Sequence, residues 1–226
     1  MGKLFVIEGL DGSGKETQTG LVVKRLKEEG YDVRSASFPN YKSESSALVK
    51  MYLNGDFGSN PDDVEPKVAS VFYAVDRYAT FRKEYEDFYE NGGIIIADRY
   101  VTSNMVHQAC KIESPEERMA YIDWLVDFEY KTMKIPSPDR TFFLDISPEV
   151  SGKLIENRNN KFTDSRAKDI HEKNRAYLEK AYANVDFLVK NCGFERIECV
   201  RDGKLKSIDE INEMLHERIV EELKNV

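Results

Sequence analysis

The sequence predicts an α/β fold in three layers: a parallel sheet of about five strands, with helices on both faces. Three observations carry this. Short apolar runs alternate with longer amphipathic stretches along the whole chain. The runs are bulky and rich in β-branched residues, as suits strands buried on both faces. Glycine, proline and serine punctuate the joints where strands would pass into helices.

Residues 4–8 read LFVIE, the first strand. Glycines follow, then a helix over about 15–29. Leu21, Val22 and Leu26 mark its inner face, and Gly30 sits where a C-terminal cap belongs. Residues 33–38 form the next strand, stopped by Pro39. Residues 43–54 read as helical, and 59–66, with two prolines, as loop. A long helix over 67–90 ends at Gly92 and Gly93, and 94–97 is the clearest strand. Helices follow near 102–110 and 115–133. Strand 141–146 runs into Ser147 and Pro148, a good helix start. A helix near 148–157 leads to a basic polar stretch and a second helix over 166–190. Strand 194–200 follows. Ser207 and Glu210 form a capping box for the last helix, whose apolar residues are Ile208, Ile211, Leu215, Ile219 and Leu223. There are no internal repeats or low-complexity tracts. In such sheets ligands bind beyond the carboxyl ends of the strands, here just after Glu8, Phe38, Ala97 and Ile146.

A length of 226 residues fits a single domain over 1–226 with a small mobile insert. The net charge of -8 lacks the basic footprint that bulk nucleic acid requires. Cys110, Cys192 and Cys199 have no metal-like spacing and read as reduced thiols, which points to the cytoplasm. The chain shows no signal peptide, no apolar run long enough to span a bilayer, and no Ser or Thr in the position needed for myristoylation at Gly2.

The strongest motif runs from Gly9 to Lys15, a G-x-x-x-x-G-K pattern between a predicted strand and a predicted helix. Its glycines let backbone N–H groups turn inward around an anion. The following helix points its positive end at the same place. Lys15 adds a charge near the outer phosphates. The nucleotide triphosphate is therefore expected on Gly9, Leu10, Asp11, Gly12, Ser13, Gly14, Lys15, Glu16 and Thr17. Glu16 stands where Ser or Thr usually meets Mg²⁺. Either Glu16 ligates the metal, directly or through water, or it faces away and Asp98 holds the metal largely alone. A GTPase switch is disfavoured. Asp98 is not followed by the required glycine at Val101, and Asn160, Lys161, Phe162 and Thr163 lack the aspartate of a guanine motif.

Five segments in order resemble the thymidylate kinase family over nearly the whole chain. They are Asp11-Gly12 in the phosphate loop, Phe38-Pro39-Asn40-Tyr41, and Phe72-Tyr73-Ala74-Val75-Asp76-Arg77. Asp98-Arg99-Tyr100 with Ser103 and Asn104, and Leu144 to Glu149, complete the set. The resemblance implies the P-loop NTPase fold, MgATP as phosphoryl donor and dTMP as acceptor. It also implies a short mobile lid over about 153–168 and, usually, a homodimer.

The roles it implies are specific. Asp11 accepts a hydrogen bond from the sugar 3′-hydroxyl; an Asx turn is the structural alternative. Arg77 donates to the thymine carbonyl, and Tyr73, four residues earlier on the same helix face, stacks on the ring. The alternative is a core aromatic beside a surface arginine. Phe38, Pro39, Tyr41, Ser103 and Asn104 line the acceptor pocket. His107 and Gln108 lie one turn further, near sugar or base, unless they are plain surface residues. Asp98 orders the metal, and Arg99 reaches the acceptor phosphate through its fixed fork.

Residues 153–175 carry 7 basic against 4 acidic residues in an otherwise acidic chain. Gly12 occupies the slot where some family members place a catalytic arginine, so the lid is expected to supply it. Arg158 and Arg166 are the candidates, with Lys161 third. Asn40, Tyr41 and Lys42 replace an arginine often found after the Phe-Pro turn, so Lys42 substitutes or Arg99 carries more of the contact. Arg201, Asp202 and Gly203 fall where the adenine loop belongs. A deoxynucleoside kinase would need Glu44 as its base. A dUMP or UMP kinase differs by one methyl contact, about 1–3 kcal/mol. A non-catalytic nucleotide-binding protein is encouraged only by Glu16. Replacing Arg158 or Arg166 by alanine is expected to lower kcat by orders of magnitude with little change in fold stability. Wild-type kcat in both variants would remove the lid assignment.

Overall fold

In the computed structural model, residues 1–159 and 170–224 are described. Five parallel strands form the sheet: β1 (Lys3–Glu8), β2 (Val33–Ser37), β3 (Ile94–Asp98), β4 (Arg140–Asp145) and β5 (Phe194–Glu198). Their spatial order is β2-β3-β1-β4-β5. β1 is central, with Ile7 level with Asp98 on one side and Phe142 on the other. The expected α/β architecture is therefore present, with its three layers.

Strand residues alternate between two cores, as the pleat requires. Phe5, Ile7, Ile96, Phe142 and Leu144 pack against one layer. That layer contains α1 (Lys15–Glu28) and α10 (Ile208–Lys224), through Val22, Leu26, Leu215 and Ile219. Leu4, Val6, Ile95, Ala97 and Phe143 face the other layer. There they meet α5 (Val101–His107), α6 (Pro115–Val126) and α9 (Arg175–Cys192), through Val101, Met105, Leu125, Val185 and Leu188. A third, smaller core joins α2 (Ala47–Asn54), α3 (Pro66–Thr80) and Ile170 at the start of α8 (Ile170–Lys173). It closes one side of the site described below.

Several expected elements differ in detail. The long helix over 67–90 is interrupted. After α3 the backbone widens into a π turn at Phe81–Tyr85, then resumes as α4 (Glu86–Glu90). The extra residue brings the Tyr85 hydroxyl to the Ser35 carbonyl, 3.2 Å away, on edge strand β2. The helix over 115–133 likewise ends in a π turn at Asp127–Thr132. The helix expected over 166–190 is broken at Asn174, which leaves helical geometry to cap α9 through Tyr177 N–H at 3.0 Å. Residues 166–169 lie outside the described residues. Strand 194–200 stops at Glu198, and a hairpin of β6 (Val200–Arg201) and β7 (Lys204–Leu205) follows, turning at Asp202 and Gly203 with positive φ.

The two predicted N-terminal caps are present. Ser207 and Glu210 exchange backbone-to-side-chain bonds of 2.8 and 3.1 Å. Ser147 Oγ accepts from Val150 N–H at 3.4 Å, at the start of α7 (Pro148–Asn159). No helix among the described residues is long and apolar enough to cross a membrane.

Candidate active site

The phosphate loop occupies the turn from β1 into α1. Gly14 is the N-cap residue of α1, with φ 83° and no side-chain cap, an N-terminus of the kind that receives anions. Ser13 is buried and packs so close to Gly9 that a Cβ there would fall 2.5 Å from the Ser13 oxygen. Lys15 is buried and folds back to donate to the Leu10 carbonyl at 2.9 Å. Burial and the neighbouring Arg99 charge bring its pKa down to about 8, although Asp11, Asp98 and Glu8 pull the other way. Glu16 and Thr17 are exposed on the first turn.

β3 delivers the next two residues. Asp98 ends the strand, and its Oδ1 is buried with no hydrogen-bond partner among the described residues. Burial raises its pKa, Lys15 and Arg99 oppose that rise, and Glu16 adds to it. Arg99 adopts a left-handed backbone, φ 65°. This is unusual for a non-glycine residue and recurs at functional sites. Its guanidinium pairs with Asp11, not with Asp98. Burial alone would raise the Asp11 pKa, but Arg99 and then Lys15 hold it far below the usual carboxylate range.

Glu8, the last residue of β1, stabilises this turn. It is fully buried. One of its carboxylate oxygens accepts from Tyr100 N–H at 3.2 Å, Thr102 Oγ1 at 2.7 Å and Ser103 Oγ at 2.7 Å. Sequence reasoning missed Glu8, although a carboxylate closing an apolar strand was the available signal.

Beyond Arg99 lies a cavity. All ten residues expected at the acceptor site line it: Phe38, Pro39, Tyr41, Tyr73, Arg77, Arg99, Ser103, Asn104, His107 and Gln108. Asp11 joins them, so the phosphate loop and the cavity share a wall. Leu53, which was not expected, and His171 line it as well. Arg77 is only 2% exposed, so the surface-arginine alternative fails. It makes a two-point ion pair with Glu129, at 2.6 and 2.8 Å, and donates to the Tyr100 carbonyl at 3.0 Å. Gln108 is fully buried, and neither its amide oxygen nor its nitrogen has a partner among the described residues.

The two histidines are both neutral. Burial, then the Arg99 charge, puts the His107 pKa well below its ordinary value. Arg99 can only donate, so its contact with His107 Nε2 at 3.3 Å leaves the proton on Nδ1. That nitrogen is buried with no partner among the described residues. His171 stacks on His107 at 5.8 Å between ring centres and meets the Tyr52 hydroxyl at 3.0 Å. Burial lowers its pKa to about 3.

Other expectations find different places. Lys42 and Glu44 are exposed and do not line the cavity, which removes the base that a nucleoside kinase would need. Asn40 is tied to Asp76 through its N–H at 2.8 Å and to Glu84 through its side chain at 2.9 Å. Asp202 and Gly203 sit at the tip of the β6–β7 hairpin. The Arg158 side chain, Lys161 and Arg166 lie outside the described residues.

A family model for thymidylate kinase matches residues 7–202. The chain belongs to the thymidylate kinase family. Among curated relatives, the thymidylate kinase of Exiguobacterium sp. (strain ATCC BAA-1283 / AT1b) is 25% identical over 212 residues, 90% of this chain and 92% of that protein. That of Bifidobacterium longum (strain DJO10A) is 30% identical over 186 residues, 81% and 86% of the two chains. The probable thymidylate kinase of Thermococcus onnurineus (strain NA1) is 28% identical over 180 residues, 78% and 83%.

Members of the family are phosphotransferases that use ATP, and the donor set of this chain fits a magnesium ion. Magnesium takes one or two carboxylates and completes its shell with water and phosphate. The orphaned Asp98 Oδ1 offers an oxygen of that kind, with Glu16 near enough to influence its charge. Among the described residues no three His, Cys, Asp or Glu side chains gather as a cage for another kind of ion.

Buried neutral histidines carry a stability cost in acid. The contribution of His171 is complete above its unfolded pKa of about 6.5 and is lost as pH falls towards its folded value of about 3. Between pH 7 and 5 this amounts to about 2 kcal/mol. In urea unfolding at the two pH values, His171→Gln is expected to lose about that much less stability than wild type. Equal losses would mean that His171 is not buried neutral.

Proposed function

We propose that this chain transfers the γ-phosphoryl group of MgATP to dTMP, giving dTDP and ADP, and that it works in the cytoplasm as a homodimer. One observation carries the reading of the site. Every residue expected for the acceptor lines one cavity, and that cavity meets the phosphate loop at the Asp11–Arg99 pair.

The chemistry asks for positioning and charge stabilisation rather than covalent catalysis. Loop N–H groups and Lys15 bind the donor phosphates. The triphosphate supplies the negative charge that keeps Lys15 protonated at neutral pH. The acceptor phosphate competes with Asp11 for Arg99, and Asp11 then accepts from the sugar 3′-hydroxyl. Tyr73 and Phe38 flank the base, and Arg77 donates to its carbonyl. Asp98, with Glu16, would hold Mg²⁺, which neutralises charge on the donor phosphates when bound. A lid arginine, Arg158 or Arg166, adds positive charge at the transferring group, and lid closure excludes water.

Support for the other parts is simpler. Three free cysteines suit a reducing compartment. Val68, Val75 and Tyr78 form an exposed apolar stripe along α3, at 47%, 42% and 39% exposure. It suits a second copy of the chain.

A coupled ADP-release assay with MgATP tests the activity, using Lys15→Ala as the blank. Turnover is expected to be strong with dTMP, weak with dUMP, and absent with thymidine. Comparable turnover of UMP would reassign the acceptor, and no turnover with any acceptor would reduce the protein to a nucleotide binder. Sedimentation equilibrium is expected to give twice the chain mass, and Val75→Glu is expected to halve it. A monomeric wild type would refute the dimer.

A further inference from the structure

Glu129 belongs to none of the sequence motifs, yet it is fully buried and holds two cavity residues at once. Its carboxylate takes the Nε and Nη2 hydrogens of Arg77. One of the same oxygens faces the Asn104 amide nitrogen at 3.5 Å, and that nitrogen also lies 3.4 Å from the Ser70 carbonyl. A carboxylate and a carbonyl can only accept. Asn104 must therefore turn its NH₂ towards them, because its own oxygen there would meet two acceptors. This leaves Asn104 Oδ1 for the cavity. Arg77 has no acceptor atom and can only donate.

We propose that Glu129 is the positioning residue that sets the hydrogen-bond polarity of the base end of the cavity, making it a donor at Arg77 and an acceptor at Asn104. This rests on the acceptor being a pyrimidine monophosphate. Thymine and uracil present a carbonyl oxygen at C4 and an N–H at N3, which match a donor and an acceptor. Cytosine presents an amino group and a bare ring nitrogen, which match neither. A site built around buried polar groups rejects the mismatched base because its own groups are left unpaired. Glu129 thus acts through its neighbours. The π turn at Asp127–Thr132 carries it and buries it against the cavity residues.

A glutamine at this position can both donate and accept, so Asn104 would be free to turn over. The test compares wild type, Glu129→Gln and Glu129→Asp with dTMP, dUMP and dCMP at saturating ATP, with folding checked by circular dichroism and melting. Glu129→Gln is expected to raise KM for dTMP by about tenfold or more. The dTMP-to-dCMP ratio of kcat/KM should fall by a similar factor, with kcat for dTMP and KM for ATP within about threefold of wild type. Glu129→Asp keeps the buried charge compensated, so it remains informative where the glutamine variant fails to fold. It is expected to show the same changes at smaller size. Folded variants with the wild-type ratio, or with lowered kcat alone, would overturn the role of Glu129 while leaving the enzyme a dTMP kinase. A wild type inactive on every pyrimidine monophosphate would instead overturn the functional reading, and this proposal with it.

Discussion

The buried carboxylate of Glu8 holds the turn that follows β3, and the rest of the site is arranged around that turn. β1 and β3 are hydrogen-bonded neighbours, so the end of one lies beside the end of the other. Glu8 accepts from three donors on the far side of Arg99. Those bonds fasten the start of α5 and leave Arg99 in the left-handed conformation that a free chain avoids. A carboxylate has lone pairs for such a role, and three charge-assisted bonds offset much of its desolvation. The backbone reversal at Arg99 separates two functions. Asp98 remains at the phosphate loop, while Arg99 turns towards the cavity.

The charges at this junction form one coupled set. Glu8, Asp11 and Asp98 are acidic; Lys15 and Arg99 are basic. Each shifts its neighbours, and burial penalises all of them. Arg99 pairs with Asp11, and Lys15 donates to its own loop. Two bound nucleotides would bring more negative charge than the five groups can balance. The base end of the cavity works differently. Its ion pair, Arg77 with Glu129, is deep and internally balanced, so it shapes hydrogen bonding rather than attracting a phosphate.

What was readable in advance followed the range of the interactions. The phosphate loop is local: glycine conformations, a helix N-terminus and a lysine lie within seven residues, so spacing is enough to find it. The apolar runs located the strands because burial on both faces leaves little room for polar residues. The capping box was legible because its two partners sit three residues apart. Misreadings came where a neighbour acts from a distance. No local pattern marks the π turns that end α3 and α6, and the first of them carries Tyr85 to a strand fifty residues away in sequence. The break at Asn174 was hidden because flanking residues are good helix formers.

By itself, the sequence determined the fold class and the phosphate loop, because both rest on contiguous patterns of backbone preference and burial, and it pointed to the family through five short segments in order. Only the tertiary structure decided the pairings among them. Arg99 meets Asp11 across 88 residues, Arg77 meets Glu129 across 52, and His171 meets Tyr52 across 119. Arginine carries no mark in a sequence of which carboxylate will hold it. That choice falls to packing, which brings together strand ends and helix faces that are remote along the chain and requires every buried charge to find a partner.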